Sequence, residues 1–449
     1  MFKTLKNSWK IPELKNKLLF TLLIVILYRL GSAIPVPYVN VLAKDAMADY
    51  WSGGNILSFV NLLTGGALGQ GTLFALGVSP YITASIVMQL LSIAIPYFEK
   101  KSKEGEEGKK VINAWTRGVT IVLAIITSIG YVMMLNSYGM LLKEANVFVY
   151  FVMVSCYCAG AALVMWLAER INDHGIGNGI SIILFANIIS GIPGQLAELW
   201  TTSFSNPVTG GFDVWGLIVS ILFVVGLLAM LMLIVWMSDA ERRIPIQYAK
   251  RVVGRKMYGG QNTNLPIKVN MSGVMPIIFA NSIVALLPTI ASFIAQKNQD
   301  NWFVKFVENW FSPTTWPYLI VFFVLLIAFA YFYVAISFNP IEVANNIKNN
   351  GGAIPGIRSG RPTVDFIKKV LGKITLVGAL LVAVIACVPM IAGIILAMDV
   401  FVVEGVARFP ISAMAFGGSS MMIVVGVAIE TTRELEAQMS LRNYKGFLD

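Results

Sequence analysis

The side chains that ordinarily do chemistry are scarce in this sequence, and their spacing speaks against a catalytic centre. The cysteines are Cys156, Cys158 and Cys387. The first two stand two apart on one apolar run, so a helix turns them to different faces, and neither a disulfide framework nor a metal motif follows. The sole histidine, His174, is expected in a short polar loop; with one histidine, two-histidine zinc chemistry is excluded. No phosphate-binding loop and no nucleophile–base arrangement occurs, so the reading is of a protein that is not an enzyme and takes no cofactor. Arg29 interrupts an apolar run and is expected to face protein or water rather than lipid. The remaining polar groups in such runs are neutral: Ser85, Gln89, Asn187, Asn281 and Ser282. Ion-coupled transporters usually carry acids or bases near mid-membrane. Neutral groups among aliphatics suit instead a passage gated by an apolar constriction.

The elements that must position these residues are membrane helices. The chain has 449 residues, of which 57% are hydrophobic and 13% charged. Apolar runs of about twenty residues recur, the signature of spanning helices. Ten spans are expected, near Leu18–Ile34, Leu73–Ile95, Val119–Leu135, Val147–Ala168, Gly179–Ile192, Trp215–Met237, Ser272–Ala295, Pro317–Phe338, Ile374–Ala397 and Ile411–Ile429. The first lacks a small-residue cleavage site and is read as a retained span. An even number puts both termini on one side. Of the 34 lysines and arginines, Lys44, Lys143, Lys297, Lys305 and Arg408 fall on the other side, and Arg29 within a span. All the rest lie with the termini, which are therefore expected in the cytoplasm, together with most of the +10 net charge.

One stretch, Asn55 to Pro96, departs from this pattern. Ile56, Leu57, Phe59, Val60, Leu62 and Leu63 are apolar at helical spacing, with Ser58 and Asn61 between them. Glycine pairs flank the segment, Gly53–Gly54 before and Gly65–Gly66 after, and Asn55 suits an N-cap. Such a helix is about 13 Å long, too short for a hydrocarbon core of about 30 Å. It either lies flat at the interface or is buried within protein at membrane depth, as a stopper in a channel. The span expected after it carries Val78 and Ile82 on one face and a polar stripe of Ser85, Gln89 and Ser92 on another. The fifth span opens on Gly175, Gly177 and Gly179, then places Ile180 and Leu184 four apart. Aliphatic pairs at that spacing are usually lipid-facing or core, and only in the minority pore-lining.

Two basic cytoplasmic loops, 238–270 and 338–373, are longer than turns require. The first holds Arg242, Arg243, Arg251, Arg255 and Lys256 with Tyr248 and Tyr258. That is a footprint for an anionic partner, nucleic acid or an acidic protein face, and equally for phospholipid.

Several stretches together resemble the SecY family, the central subunit of the bacterial protein-translocation channel. They are RLGSAIPVP (Arg29–Pro37), LLTGGAL (Leu62–Leu68), FALGVSPYITASIVMQLL (Phe74–Leu91), GIGNGISIILFANI (Gly175–Ile188) and RRIPIQYAKR (Arg242–Arg251). LPIKVNMSGVMPIIFA (Leu265–Ala280), FNPIEVANNIKNNGGAIPGIRSG (Phe338–Gly360) and FGGSSMMIVVGV (Phe416–Val427) continue the likeness to the last span. The resemblance implies an all-α polytopic membrane protein with ten transmembrane helices in two pseudo-symmetric inverted five-helix halves, residues 1–195 and 196–449. It implies a plug helix within 55–64, from Ile56 to Leu63, below a pore ring of Val78, Ile82, Ile180, Leu184, Ile278 and Ile423. It implies a lateral gate between the second/third and seventh/eighth spans, where Ser85, Gln89 and Asn281 would sit. Partners implied are SecE, SecG, the SecA motor ATPase, the ribosome, signal peptides, nascent chains and membrane lipids, with no direct binding of DNA. Arg255, Lys256 and Arg358 match the docking positions. The implied location is the plasma membrane of a bacterium.

Overall fold

The structure is a computed structural model; it describes residues 2–40, 56–142, 146–204, 214–248, 251–253, 256–258, 262–295, 301–311, 315–396, 402–403, 406–407 and 411–445. Helices dominate it. In chain order they are α1 (Phe2–Ser8), α2 (Pro12–Gly31), α3 (Ile56–Leu63), α4 (Ser79–Ala94), α5 (Pro96–Lys103), α6 (Glu106–Ser137), α7 (Val147–His174), α8 (Gly179–Phe204) and α9 (Val214–Asp239). After a small β-region come α10 (Met275–Ala295), α11 (Trp302–Phe311), α12 (Trp316–Ser337), α13 (Pro340–Asn349), α14 (Arg361–Leu396) and α15 (Ile411–Lys445). Each of the ten expected spans falls on one of these helices. His174 is the exposed last residue of α7 rather than part of a loop; its ring lies 5.8 Å from that of Phe20.

The outer surfaces of these helices are apolar. On α9, Ile221, Leu222, Val225, Leu228, Met232 and Trp236 are all exposed, and on α6 Ile121, Val122, Ile125, Ile126 and Ile129 are as well. No aqueous fold leaves such faces bare; hydrocarbon is the solvent that suits them. Inside, one apolar cluster joins α2, α4, α7, α8, α10, α12, α14 and α15 around Tyr28, Ile82, Leu184, Ile278, Phe322 and Ile423. A second joins α6 and α7 to the loops on either side of α3 through Val36, Leu68, Tyr131 and Tyr157.

The second span is shorter than its hydropathy indicates. Leu73–Val78 form turns, and helix begins only at Ser79. Gly77 is left-handed at φ 54°, where other residues are strained, and Pro80 suits the first turn of a helix. The 16 residues of α4 reach about 24 Å. At Pro96 the chain then bends by 99° into α5.

The two basic loops are built as one body, with strands where the fold class led one to expect none. β1 (Glu241–Tyr248) pairs antiparallel with β4 (Asn262–Lys268), Ile244 opposite Leu265 and Ile246 opposite Thr263. β2 (Arg251–Val253) and β3 (Lys256–Tyr258) form the tip. On its other edge β1 receives β5 (Gly352–Ala353) from the second loop. Ile244, Ile246 and Ile267 then share a buried core with Ala344 and Ile347 of α13 and Ile367 and Leu371 of α14. Asn339 begins α13 by accepting from the Ile341 and Glu342 amides. A further pair, β6 (Val402–Val403) and β7 (Val406–Ala407), precedes α15.

Candidate functional site: an apolar constriction closed by a short helix

The short helix α3 is set by its own end. Asn61 O accepts from the Gly66 amide at 2.8 Å and Asn61 Oδ1 from the Gly69 amide, also at 2.8 Å. Gly65 and Gly66 hold φ of 67° and 87°, the left-handed turn that ends a helix. The expected N-cap Asn55 and the pair Gly53–Gly54 lie outside the described residues. Beyond α3 the chain returns to α4 through a loop pinned from below: Tyr131 OH donates to Leu68 O, and Tyr157 OH to Gly71 O at 3.1 Å. α3 packs against α8 and α10 rather than lying apart from them.

Beside α3 lies a cavity of about 110 Å³. Its wall includes Val78 and Ile82 of the α4 start, Leu184 of α8, Ile278 of α10 and Ile423 of α15. Val60 and Leu63 of α3 face the same space. Five of the six expected ring residues, from four separate helical segments, thus meet the short helix α3 around one largely apolar void. Each of the five is almost wholly buried. The sixth, Ile180, is half-buried and packs into the surrounding cluster but is not part of the cavity wall. Of the stopper, the side chains from Val60 onward are described; Leu62 and Leu63 pack on the main cluster and Val60 on the second. Ile56, Leu57, Ser58 and Phe59 are placed on the helix by their backbone alone.

Of the expected seam residues, Gln89 Nε2 donates to Ser85 Oγ at 3.3 Å along α4. Asn281 stands apart from that pair. It is buried on the cavity wall, and neither its Nδ2 nor its Oδ1 has a hydrogen-bond partner among the described residues. α4 packs directly on α10. Sequence reasoning missed Thr83 and Thr127, which also wall the cavity. Thr83 Oγ1 is satisfied by Ser79 O at 3.0 Å and Thr127 Oγ1 by Leu123 O at 2.8 Å. Self-satisfied threonines leave an apolar wall apolar, and nothing in their spacing singles them out.

On the body formed by the two basic loops, Arg242, Arg243 and Arg358 are exposed, with Arg243 Nε 2.7 Å from Glu241 Oε1. Arg251 and Lys256 lie on the tip strands; Arg255 lies outside the described residues. At the foot of the ribbon, Arg433 of α15 donates to Ser238 O at 2.7 Å and to Asp239 Oδ1 at 2.8 Å. Partial burial, together with Arg433 nearby, holds the Lys268 amine below its usual range.

A helical membrane protein with apolar outer faces and a buried aliphatic cavity walled by several separate helices has the build of a channel. The sequence model of the SecY family matches residues 72–432. The chain is 41% identical to the protein translocase subunit SecY of Streptomyces coelicolor and 40% identical to that of Bacillus subtilis, each over the full length of both chains. It belongs to the SecY family, and is a membrane-embedded, non-enzymatic subunit of a protein-conducting channel. Its fold matches a solved structure of a SecY protein whose plug domain stabilises the closed state of the translocation channel and maintains a membrane seal. The TM-score is 0.61 at 18% identity, covering 95% of this chain and 92% of that one. It also matches Sec61 in a canine ribosome–channel complex from the endoplasmic reticulum, with a TM-score of 0.57 at 16% identity and the same coverage.

Proposed function

We propose that the cavity is the closed constriction of the channel. Val78, Ile82, Leu184, Ile278 and Ile423, with Ile180 behind them, form its gasket, and Ile56–Leu63 is its plug. The observation that carries this reading is the meeting of five aliphatic side chains from four separated segments with Val60 and Leu63 around one void. A conduit for many unfolded polypeptides makes no specific contacts, because its substrates share none. An aliphatic ring yields to any chain and, when empty, excludes ions by staying dry. The seam between α4 and α10, with Ser85, Gln89 and Asn281 along it, opens sideways to release apolar segments into lipid. The unpaired polar atoms of Asn281 suit such a seam, since a passing chain or water satisfies them when it parts.

On this reading the ten long helices all cross the plasma membrane of a bacterium, as inverted five-helix halves over residues 1–195 and 196–449. Both termini and the basic body lie in the cytoplasm. That body, carrying Arg242, Arg243, Arg251, Arg255, Lys256 and Arg358, docks the ribosome or the SecA motor ATPase; SecE braces the halves and SecG sits at the periphery. The full-length likeness to bacterial translocase subunits and the ribosome-bound state of the Sec61 neighbour support it.

Ile423→Asn tests the gasket. A buried amide with no partner costs about 1–3 kcal/mol, and hydration of the constriction relieves that cost. The expected result is a closed state weakened by that amount, with passage of substrates bearing defective signal sequences. Greater stringency than wild type overturns the gasket.

A further inference from the structure

We propose that Arg29 and Asn187 form a latch that holds the C-terminal end of the stopper helix and so biases the channel towards its closed state; this rests on the stopper reading of Ile56–Leu63. The last carbonyls of any helix have no partner within it and carry partial negative charge. At the end of α3 one such group, Leu63 O, and one carbonyl of the turn that follows, Gly65 O, are answered from outside. Asn187 of α8 donates through Nδ2 to Leu63 O at 2.7 Å, and Arg29 of α2 donates through Nη1 to Gly65 O at 3.3 Å. Asn187 Nδ2 also donates to the hydroxyl of Tyr28, at 2.9 Å, which ties the two helices to each other. Tyr28 and Asn187 are both fully buried. The fit is close: a β-carbon on Gly65 would stand 2.5 Å from Arg29 Nη1 and 3.0 Å from Asn187 Oδ1.

The arrangement gives Arg29 a task. It is the one charged residue within the expected spans of the N-terminal half, and such groups are retained where protein satisfies them. With the stopper seated, the guanidinium has the Gly65 carbonyl of the turn that ends it. With the stopper displaced, Arg29 loses that acceptor, and Asn187 keeps only Tyr28. The aliphatic ring is indifferent to where the stopper sits, apart from the area it buries. The latch is directional, and it acts on the end of the stopper that is tethered to α4.

The test measures ion conductance of the full chain reconstituted in planar bilayers. Arg29→Met keeps an unbranched apolar stem and removes the guanidinium donors; Asn187→Leu keeps the branched shape of the amide and removes its donors. Each is expected to raise the closed-state leak roughly tenfold, the weight of one hydrogen bond involving a charged or buried group. Arg29→Lys, which keeps a cationic donor, is expected to stay within about twofold of wild type on the same scale. The discriminating arm places Arg29→Met in a chain lacking Ile56–Leu63. There it is expected to add nothing to the leak that the deletion itself produces. An equal further increase in that background shows a general loosening and overturns the latch. So does Arg29→Lys leaking as much as Arg29→Met. A leaky deletion beside a tight Arg29→Met overturns the latch and leaves the stopper standing. A deletion that leaves the leak unchanged overturns both.

Discussion

Ile278 and Ile180 are both aliphatic and both expected at the ring, yet they occupy different ground. Ile278 is buried on the cavity wall, whereas Ile180 packs half-buried one layer away. A polar substitution on the wall opens a path for water; one layer back it meets neighbouring side chains. Ile278→Asn is therefore expected to raise closed-channel leak, by the equivalent of about 1–3 kcal/mol, and Ile180→Asn to raise it less while lowering thermal stability. Conductance and melting of the two purified variants decide it, and equal leak from both would remove the distinction. At this scale little was legible from the residues alone. Two aliphatics four apart on a helix are consistent with lipid, core or pore, so Val78 with Ile82 and Ile180 with Leu184 acquired their roles from the family resemblance. The convergence of four segments is a property of the fold that no local pattern states.

At the scale of elements, glycines made the reading succeed and also made it fail. The C-terminal end of α3 was legible because a glycine pair follows its apolar run, and Gly65 and Gly66 do adopt the left-handed turn. The start of α4 was not, because hydropathy runs unbroken from Leu73 while Gly77 turns the chain out of helix. The ribbon of the first basic loop was overlooked although a period-two signal was present: Ile244 and Ile246 stand on either side of Pro245 between Arg243 and Gln247, and Leu265 and Ile267 on either side of Pro266 between Asn264 and Lys268. Their burial against α13 and α14 makes the two loops one rigid platform. Charges on its exposed surface can thus be reversed without disturbing the membrane helices. Arg358→Glu, and the pair Arg255→Glu with Lys256→Glu, are expected to reduce partner affinity and translocation at least tenfold. One or two desolvated charge pairs at an interface carry that weight. Binding of purified ribosomes or motor to proteoliposomes checks this, and normal affinity in both variants would contradict docking on the platform.

For the molecule as a whole, the class was legible and the arrangement was not. Each apolar run read as a span lies on a helix, because each must satisfy its own backbone in lipid. How those helices surround a space depends on pairings such as α4 with α10 and α14 with α15, which lie far apart or adjacent in sequence without distinction. The central claim is that six side chains from four segments encircle the path of a translocating polypeptide. A photo-crosslinking residue placed in turn at 78, 82, 180, 184, 278 and 423, in a channel holding a stalled polypeptide, tests it most directly. The account predicts adducts to the polypeptide at the five cavity positions, and a weaker one at 180. Adducts to lipid at those positions, with none to the polypeptide, would contradict it.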